Sequence, residues 1–532
     1  MNIRILLLKK IVILGLLLGA TLCCRQNALA QAKQTARYEL EQKGTDSEYI
    51  VISMKEEGLF VIRDLEKYKD GKRIWKLLRL DTTLQEVWNE QLETENNAKL
   101  VGYEYRNNLS YILFRLGEHE ASELVLYTIH IRSKEIKQYS IKQAVSFRIT
   151  HFNALAHSIT LGGYVQNEPA ILLYDLDTEK TKLVPGFFIS DTELLDVRVN
   201  SNNTFNVVAA DRTNKQKMKL ILKTFDAQGA LLLEDAIEID AKRMILSGIS
   251  STLLNDDLLI TGTWTIGNSK QASGVYTTIV DPFSNQPINY YDFGQLNHFF
   301  DYQNPKQAAK LKMRSTKAKQ LNEVPDFKAY VIPMRLEEQP LGFGLLSEVY
   351  LPTTSINSYP YWANYGTPYY SGYSPYGYNP FMNRYYNSPY QYNNNSQTSE
   401  TKMLHASLIL FDLKGKLQQD YGLKLDDKKL NSLEQASDFI YYKNQIALAS
   451  KKEKDLRLLV GDLDGTLIAD TLHTQLSNPE EIVKGESDSN SFARFWYKNI
   501  FYVWGYQNIR HISRKAEESS HYVFYINKIE VY

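Results

Sequence analysis

The chain has 532 residues, enough for a large core or several domains. Lysine plus arginine and aspartate plus glutamate both number 61, so no net field would draw the protein to nucleic acid or to an acidic polymer. Hydrophobic and charged fractions are ordinary, but an aromatic content of 12%, carried by 37 tyrosines, has to be placed along the chain before it means anything.

Residues 1–30 read as a signal peptide. Arg4, Lys9 and Lys10 form a positive start, Ile11–Leu22 is apolar, and Ala28-Leu29-Ala30 offers a small-x-small cleavage site before Gln31. The apolar run is too short to cross a bilayer comfortably. Export to the periplasm or cell surface of a bacterium is the expectation, with no membrane span left after cleavage. Both cysteines, Cys23 and Cys24, would leave with the leader, and the mature chain would then hold no disulfide and no thiolate. Lipid attachment at either cysteine is the alternative, but Leu22 and Cys23 stand where small residues belong. Loss of Arg4, Lys9, Lys10 and Arg25 leaves acids in slight excess.

Ala36–Gln42 is a spare strand ahead of the first repeat. Thereafter one pattern recurs: an apolar run, a polar turn and an alternating run, which is a β-hairpin by pattern and turn chemistry. WKLLRLDTTLQEVW turns at Asp81, and LVLYTIHIRSKEIKQYSI near Arg132. ILLYDLDTEKTKLV turns at Asp175, LILKTFDAQGALLLEDAI at Asp226, and YTTIVDPFSNQPINYYDF at Asp281. SLILFDLKGKLQQDYGLKL turns at Asp412, RLLVGDLDGTLIADTL at Asp462, and the terminal YVFYINKIEVY is read as turning at Asn527. The spacing is roughly fifty residues, the period of a repeat unit that cannot bury both faces alone.

Each unit reads as four strands. In the second they are Leu100–Arg106, Leu109–Leu116, Glu123–Ile131 and Glu135–Ile141. The long interval from Asp281 to Asp412 returns to the ordinary period once two insertions, 295–325 and 353–400, are set aside. The last unit supplies three strands, Phe492–Tyr497, Ile500–Tyr506 and His521–Tyr532. The N-terminal strand would complete it, since an open ring exposes two sheet edges. Four-stranded meanders at this spacing predict an all-β, single-domain β-propeller over 36–532, of eight blades, or seven if a terminal unit is degenerate. Over this length the chain resembles the broad β-propeller superfamily of WD40-like and kelch-like folds. It has neither Gly-His…Trp-Asp pairs nor a double-glycine kelch signature, so the resemblance implies architecture and no particular function.

The insertion at 295–325 carries a basic helix. Asn304 caps it, Pro305 opens it, and Lys306, Lys310, Lys312, Arg314, Lys317 and Lys319 give it six positive charges. It reads as a docking element for an anionic partner or, more plainly, as a solvated excursion over a blade edge. The insertion at 353–400 is low in complexity and rich in Tyr, Asn and Pro, so it predicts a loop rather than a strand or helix. Its candidate binding side chains are Tyr361, Trp362, Tyr365, Tyr369, Tyr370, Tyr373, Tyr376, Tyr378, Tyr385 and Tyr386. Aromatics among Ser, Gly and Asn are what binding loops favour, although a tolerated surface insertion explains them as well. In a four-stranded meander both insertions leave from one face of the disc, on neighbouring blades, and that face is the expected binding face. Phe495, Trp496, Tyr497, Phe501, Tyr502, Trp504 and Tyr506 are expected to pack between blades.

Leu459–Thr471, LVGDLDGTLIADT, resembles the first motif of haloacid-dehalogenase-type phosphatases. That resemblance would make Asp462 a nucleophile and Asp464 a general acid, with Mg²⁺ between carboxylate and phosphate. The motif falls on the repeat's own turn position, a strand and not a helix follows it, and too little chain remains for such a domain. Asp-Gly is also what a tight hairpin calls for, so a turn is the better reading. Asp175-Leu176-Asp177 lacks the further ligands of a calcium loop. No Gly-x-Ser-x-Gly, His-Glu-x-x-His or phosphate loop is present, and the nine histidines have no metal-ligand spacing. No catalytic residue, metal or cofactor is assigned. The expectation is a non-catalytic scaffold for a protein partner. The alternatives are glycan binding through the tyrosine-rich loop, or a hydrolase or lyase with an axial site.

Overall fold

The computed structural model describes residues 31–532 apart from 188, 215–216, 256, 268, 282–286, 353–400, 432, 464–466 and 513–519. Alternating apolar strands separated by short turns fold as antiparallel meanders, and the described strands form eight sheets. In chain order the blades span Ile50–Glu95, Ala98–Ile141, Arg148–Val184, Thr192–Glu238, Met244–Asp292, Tyr330–Leu430 and Ser437–His473, with the eighth built from both ends of the chain. The inner strands, or the loops that follow them, meet neighbour to neighbour all the way round, including the eighth blade against the first. The chain is an eight-bladed β-propeller. Apolar clusters fill the clefts between blades: Phe60, Trp75 and Phe114 join the first two, and Phe187, Val207 and Phe225 the third and fourth.

The eighth blade shows why the ring closes. Phe492–Tyr497, Ile500–His511 and Ser520–Val531 are its first three strands, and Ala32–Gln42 pairs antiparallel with the last of them from Ala32 opposite Val531 to Gln42 opposite Tyr522. Arg37 reaches inward from the closing strand to Asn527 Oδ1 at 3.1 Å and Gln507 Oε1 at 2.7 Å. Asn527 is therefore not a turn. It lies buried in mid-strand, because the fourth strand arrives from the N-terminus and no hairpin is needed there. Where the other blades turn, Tyr532 N donates to Gln31 O at 2.8 Å. One element was not expected: Glu481–Glu486 pairs with the far end of Ile500–His511.

The recurring aspartate has a local cause. Asp412 Oδ1 accepts the amides of Lys414 and Lys416, and Asp226 Oδ1 those of Gln228 and Ala230, at 2.8–2.9 Å. Asp81 does the same for Thr83 and Gln85, and Asp175 for Asp177 and Thr178. Each carboxylate closes the turn between third and fourth strands. Asp462 ends a third strand, Asp455–Asp462, that lies antiparallel to both neighbours rather than in a parallel α/β sheet. Its companion Asp464 lies outside the described residues.

Between the fifth and sixth blades the chain leaves the sheets over 293–329. The helix α1 (Pro305–Gln320) starts on Asn304, whose Oδ1 accepts Gln307 N at 2.9 Å. Ser315 and Ala318 are its buried residues. Asn297 and His298 dock on the sixth blade through Asp420, which accepts both amides at 2.7 Å. Strand Gly342–Pro352 pairs with Thr401–Phe411 up to Pro352 opposite Thr401, so the insertion 353–400 departs between second and third strands. Meander topology places that departure and α1 on one face of the disc.

Candidate binding site at the propeller axis

Near the axis the first strands carry polar side chains that staple one blade to the next. Glu104 accepts Ala154 N, Asp196 accepts Ser250 N at 2.8 Å, and Asp438 accepts Phe495 N at 2.8 Å, each across a blade boundary. Glu338 accepts Thr252 N at 3.0 Å, and on a second strand Glu348 accepts Ala436 N and Ser437 N. A carboxylate facing the free amides of a neighbouring strand satisfies donors that no ladder reaches. Arg335, buried like Asp438, donates to Asp438 Oδ1 and Phe439 O, both at 2.7 Å, and lies over the rings of Phe439 and Phe495. Burial pushes the Glu348 carboxyl up to about 7, against the bonds it accepts. These charges hold the ring together.

The space they frame opens on the face opposite α1. A cavity of about 460 Å³ lies at the mouth of the axis, lined from five blades by the loops that join first to second strands. The first blade contributes Met54 and Lys55–Glu57, the second Tyr105, Asn107 and Asn108, and the sixth Glu337 and Gln339. Tyr441 and Tyr442 come from the seventh, and Phe495, Tyr497 and Lys498 from the eighth. Side chains more than 400 positions apart in the chain thus share one wall.

A short motif builds much of this wall. Tyr442-Lys443-Asn444 and Tyr497-Lys498-Asn499 each end a first strand and turn into a second, and Arg106-Asn107-Asn108 holds the same place in the second blade. Asn107, Lys443 and Lys498 have positive φ of 50°, 56° and 52°, the left-handed geometry of a two-residue hairpin. The carbonyls of Asn108, Asn444 and Asn499 accept the amides of Ile131, Leu463 and Val531, tying each turn to the end of its third strand. Tyr442 and Tyr497, which immediately precede their turns, and Tyr105, one residue further back in its strand, are left on the rim.

The rim's carboxylates are already partnered. Glu56 pairs with Lys498 at 2.9 Å, Glu57 with Arg132 at 2.6 Å and Arg79 at 3.4 Å, and Glu337 with Arg335 at 2.8 Å. Burial draws the Lys55 ammonium below its ordinary range, partly opposed by Glu337. Burial and the charge of Glu57 raise the Tyr105 hydroxyl. Beside the mouth, Asn255 of the fifth blade bonds to Glu338 and Gln339 of the sixth. That contact sets two solvent leucines on adjacent loops, Leu254 at 65% exposure and Leu341 at 77%.

The residues singled out by sequence fall elsewhere. Lys306, Lys310, Arg314, Lys317 and Lys319 are exposed along α1, while Lys312 reaches Asn297 O and Arg314 lies over Phe327. The ten aromatics from Tyr361 to Tyr386 lie outside the described residues. Of the C-terminal aromatic cluster, Trp496, Phe501, Tyr502 and Trp504 are buried between or within blades. Phe495 and Tyr497 instead face the mouth. Among the described residues no group of three His, Cys, Asp or Glu is placed to hold a metal ion.

No family model matches the chain, and no curated protein matches it. Solved structures do. The β-propeller domain of the Trilobed protease from Pyrococcus furiosus is 9% identical over 81% of this chain and 93% of that one, with a TM-score of 0.35. Polysaccharide lyase Uly1 is 7% identical over 91% and 99%, with a TM-score of 0.38. Prolyl oligopeptidase B from Galerina marginata is 8% identical over 88% of this chain and 56% of that one, with a TM-score of 0.40. Such values carry nothing about ligand or reaction.

Proposed function

We propose that this chain is an exported, non-catalytic β-propeller that serves as a binding scaffold for a protein partner, and that the partner docks at the axial mouth. The observation that supports this reading is the state of the rim. Its carboxylates Glu56, Glu57 and Glu337 each have a cation partner, while Tyr442, Tyr497, Phe495 and the exposed Leu254 and Leu341 offer apolar and aromatic surface. General acid–base chemistry needs a group free to exchange its proton with a substrate. Recognition by packing needs aromatic anchors in a water-excluding recess, which is the pattern of interface hot spots. Glycan binding by the same aromatics is the second reading, since ring faces beside the amides of Asn107, Asn108 and Gln339 suit sugars as well.

The test uses three baits against an envelope extract: the full chain, a Tyr442→Ala/Leu341→Ser variant, and the chain lacking 353–400. Loss of a specific partner with the mouth variant and its retention by the deletion is the expected result. A glycan array run on the full chain separates the second reading. Unchanged capture by the mouth variant, with loss on deletion, would move the binding face to the side of α1. For a purified partner, Tyr442→Ala is expected to weaken binding by roughly thirtyfold, the effect of removing one hot-spot aromatic.

A further inference from the structure

We propose that removal of the leader between Ala30 and Gln31 creates an ion pair that locks the ring. Gln31 immediately precedes the closing strand of the eighth blade, and its backbone nitrogen lies 3.3 Å from Asp470 Oδ2, on the outer strand of the seventh. The other oxygen of Asp470 accepts Thr471 N at 2.7 Å. Gln31 O accepts the amide of Tyr532 at the other end of the chain. One residue thus touches the N-terminus, the C-terminus and the neighbouring blade.

The chemistry at that nitrogen changes on processing. In the precursor it is a peptide N–H, neutral and with a single donor. An exported endopeptidase accepting small residues on the acyl side would add one water across the Ala30–Gln31 amide. A carboxylate leaves with Ala30, and Gln31 keeps a primary amine that takes up a proton, because an α-amino group titrates near 8. The contact with Asp470 then becomes a charge-assisted bond, shorter and stronger than the neutral one. The surroundings are built to hold it. Gln34 Nε2 donates to Gln475 O and accepts in return, through Oε1, from Gln475 N, both at 2.9 Å. Ala32 is buried with Ile440, Leu458 and Val531 in the cleft between the two blades. To these contacts, which hold the closing strand against the seventh blade in either form, cleavage adds an ion pair that the precursor cannot make.

The test compares two forms of the full mature chain, one made by export and one carrying Gly-Ser ahead of Gln31, each with and without Asp470→Asn. Intact mass of the exported form is expected to place its first residue at Gln31 with a free amine. In that form Asp470→Asn is expected to lower the folding equilibrium constant by about two- to fivefold, the range of a part-exposed ion pair, and less in high salt. In the extended form the same substitution should change it little. An N-terminus elsewhere, loss of ammonia from Gln31 by cyclisation, or an equal effect of Asp470→Asn in both forms would overturn the proposal.

Discussion

Asp438 is where ring and mouth meet, and its removal is the perturbation with the plainest expected cost. It is 1% exposed and holds Arg335 Nη1 through Oδ1 while accepting Phe495 N through Oδ2. Asp438→Ala would leave a buried guanidinium short of one anion and a backbone N–H short of its acceptor. Breaking a buried pair by deleting one member costs about 3–5 kcal/mol, including about 1–3 for the orphaned donor. Glu337, 2.8 Å from Arg335 Nη2, remains to share the charge, so about 3 kcal/mol is the expected loss. Urea unfolding followed by intrinsic fluorescence reads it as a lower midpoint at unchanged slope. Arg335→Met/Asp438→Leu, which removes both charges, should be less destabilised than Asp438→Ala alone. A loss below about 1 kcal/mol for the single variant, or a double variant that is worse than it, would refute the assignment of these residues as the staple between sixth, seventh and eighth blades.

Two more outcomes follow from single sites. Gly58 has φ of 109°, and a Cβ there would lie 1.9 Å from Leu80 O, while its carbonyl accepts Trp496 Nε1 from the eighth blade. Gly58→Ala should therefore cost at least about 2–3 kcal/mol in the same unfolding assay and loosen the first blade against the last. Lys428 is buried with its ammonium on the carbonyls of Lys451 and Ser491, and burial draws it from 10.5 down to about 7. Its folded form binds fewer protons than the unfolded chain between those values. The stability it contributes is present above 10.5 and is lost as pH falls through about 7. The difference between wild type and Lys428→Met should therefore change with pH by up to about 1.4 kcal/mol per unit over pH 7–9, in favour of wild type at higher pH, whatever constant amount the lost bonds add. A flat difference would mean that Lys428 is not held in this buried setting.

Much of the fold was legible because its signals are local. The Asp81, Asp175, Asp226 and Asp412 turns are set by side-chain bonds within five residues, so they appear in sequence wherever the hairpin recurs. Closure was legible because Ala36–Gln42 had no other partner, whereas Asn527 was misplaced by expecting a turn that the N-terminal strand makes unnecessary. The mouth was not found, because its wall is assembled from loops that only the ring brings together. The Tyr-Lys-Asn repeat at Tyr442 and Tyr497 was the available signal. Its roughly fifty-residue recurrence between the seventh and eighth blades marks equivalent turns, but only the axis turns those tyrosines into a common surface.

Ring closure by the two ends of the chain underlies the mouth and the processing proposal alike, and amide hydrogen exchange on the peptide covering Ala32–Gln42 tests it most directly. The strand pairs on one side only, with Ser520–Val531, so about half of its amides should exchange as slowly as those at the centre of the eighth blade and the rest quickly. Exchange of every amide in that peptide within seconds, while the other blades stay protected, would contradict the account.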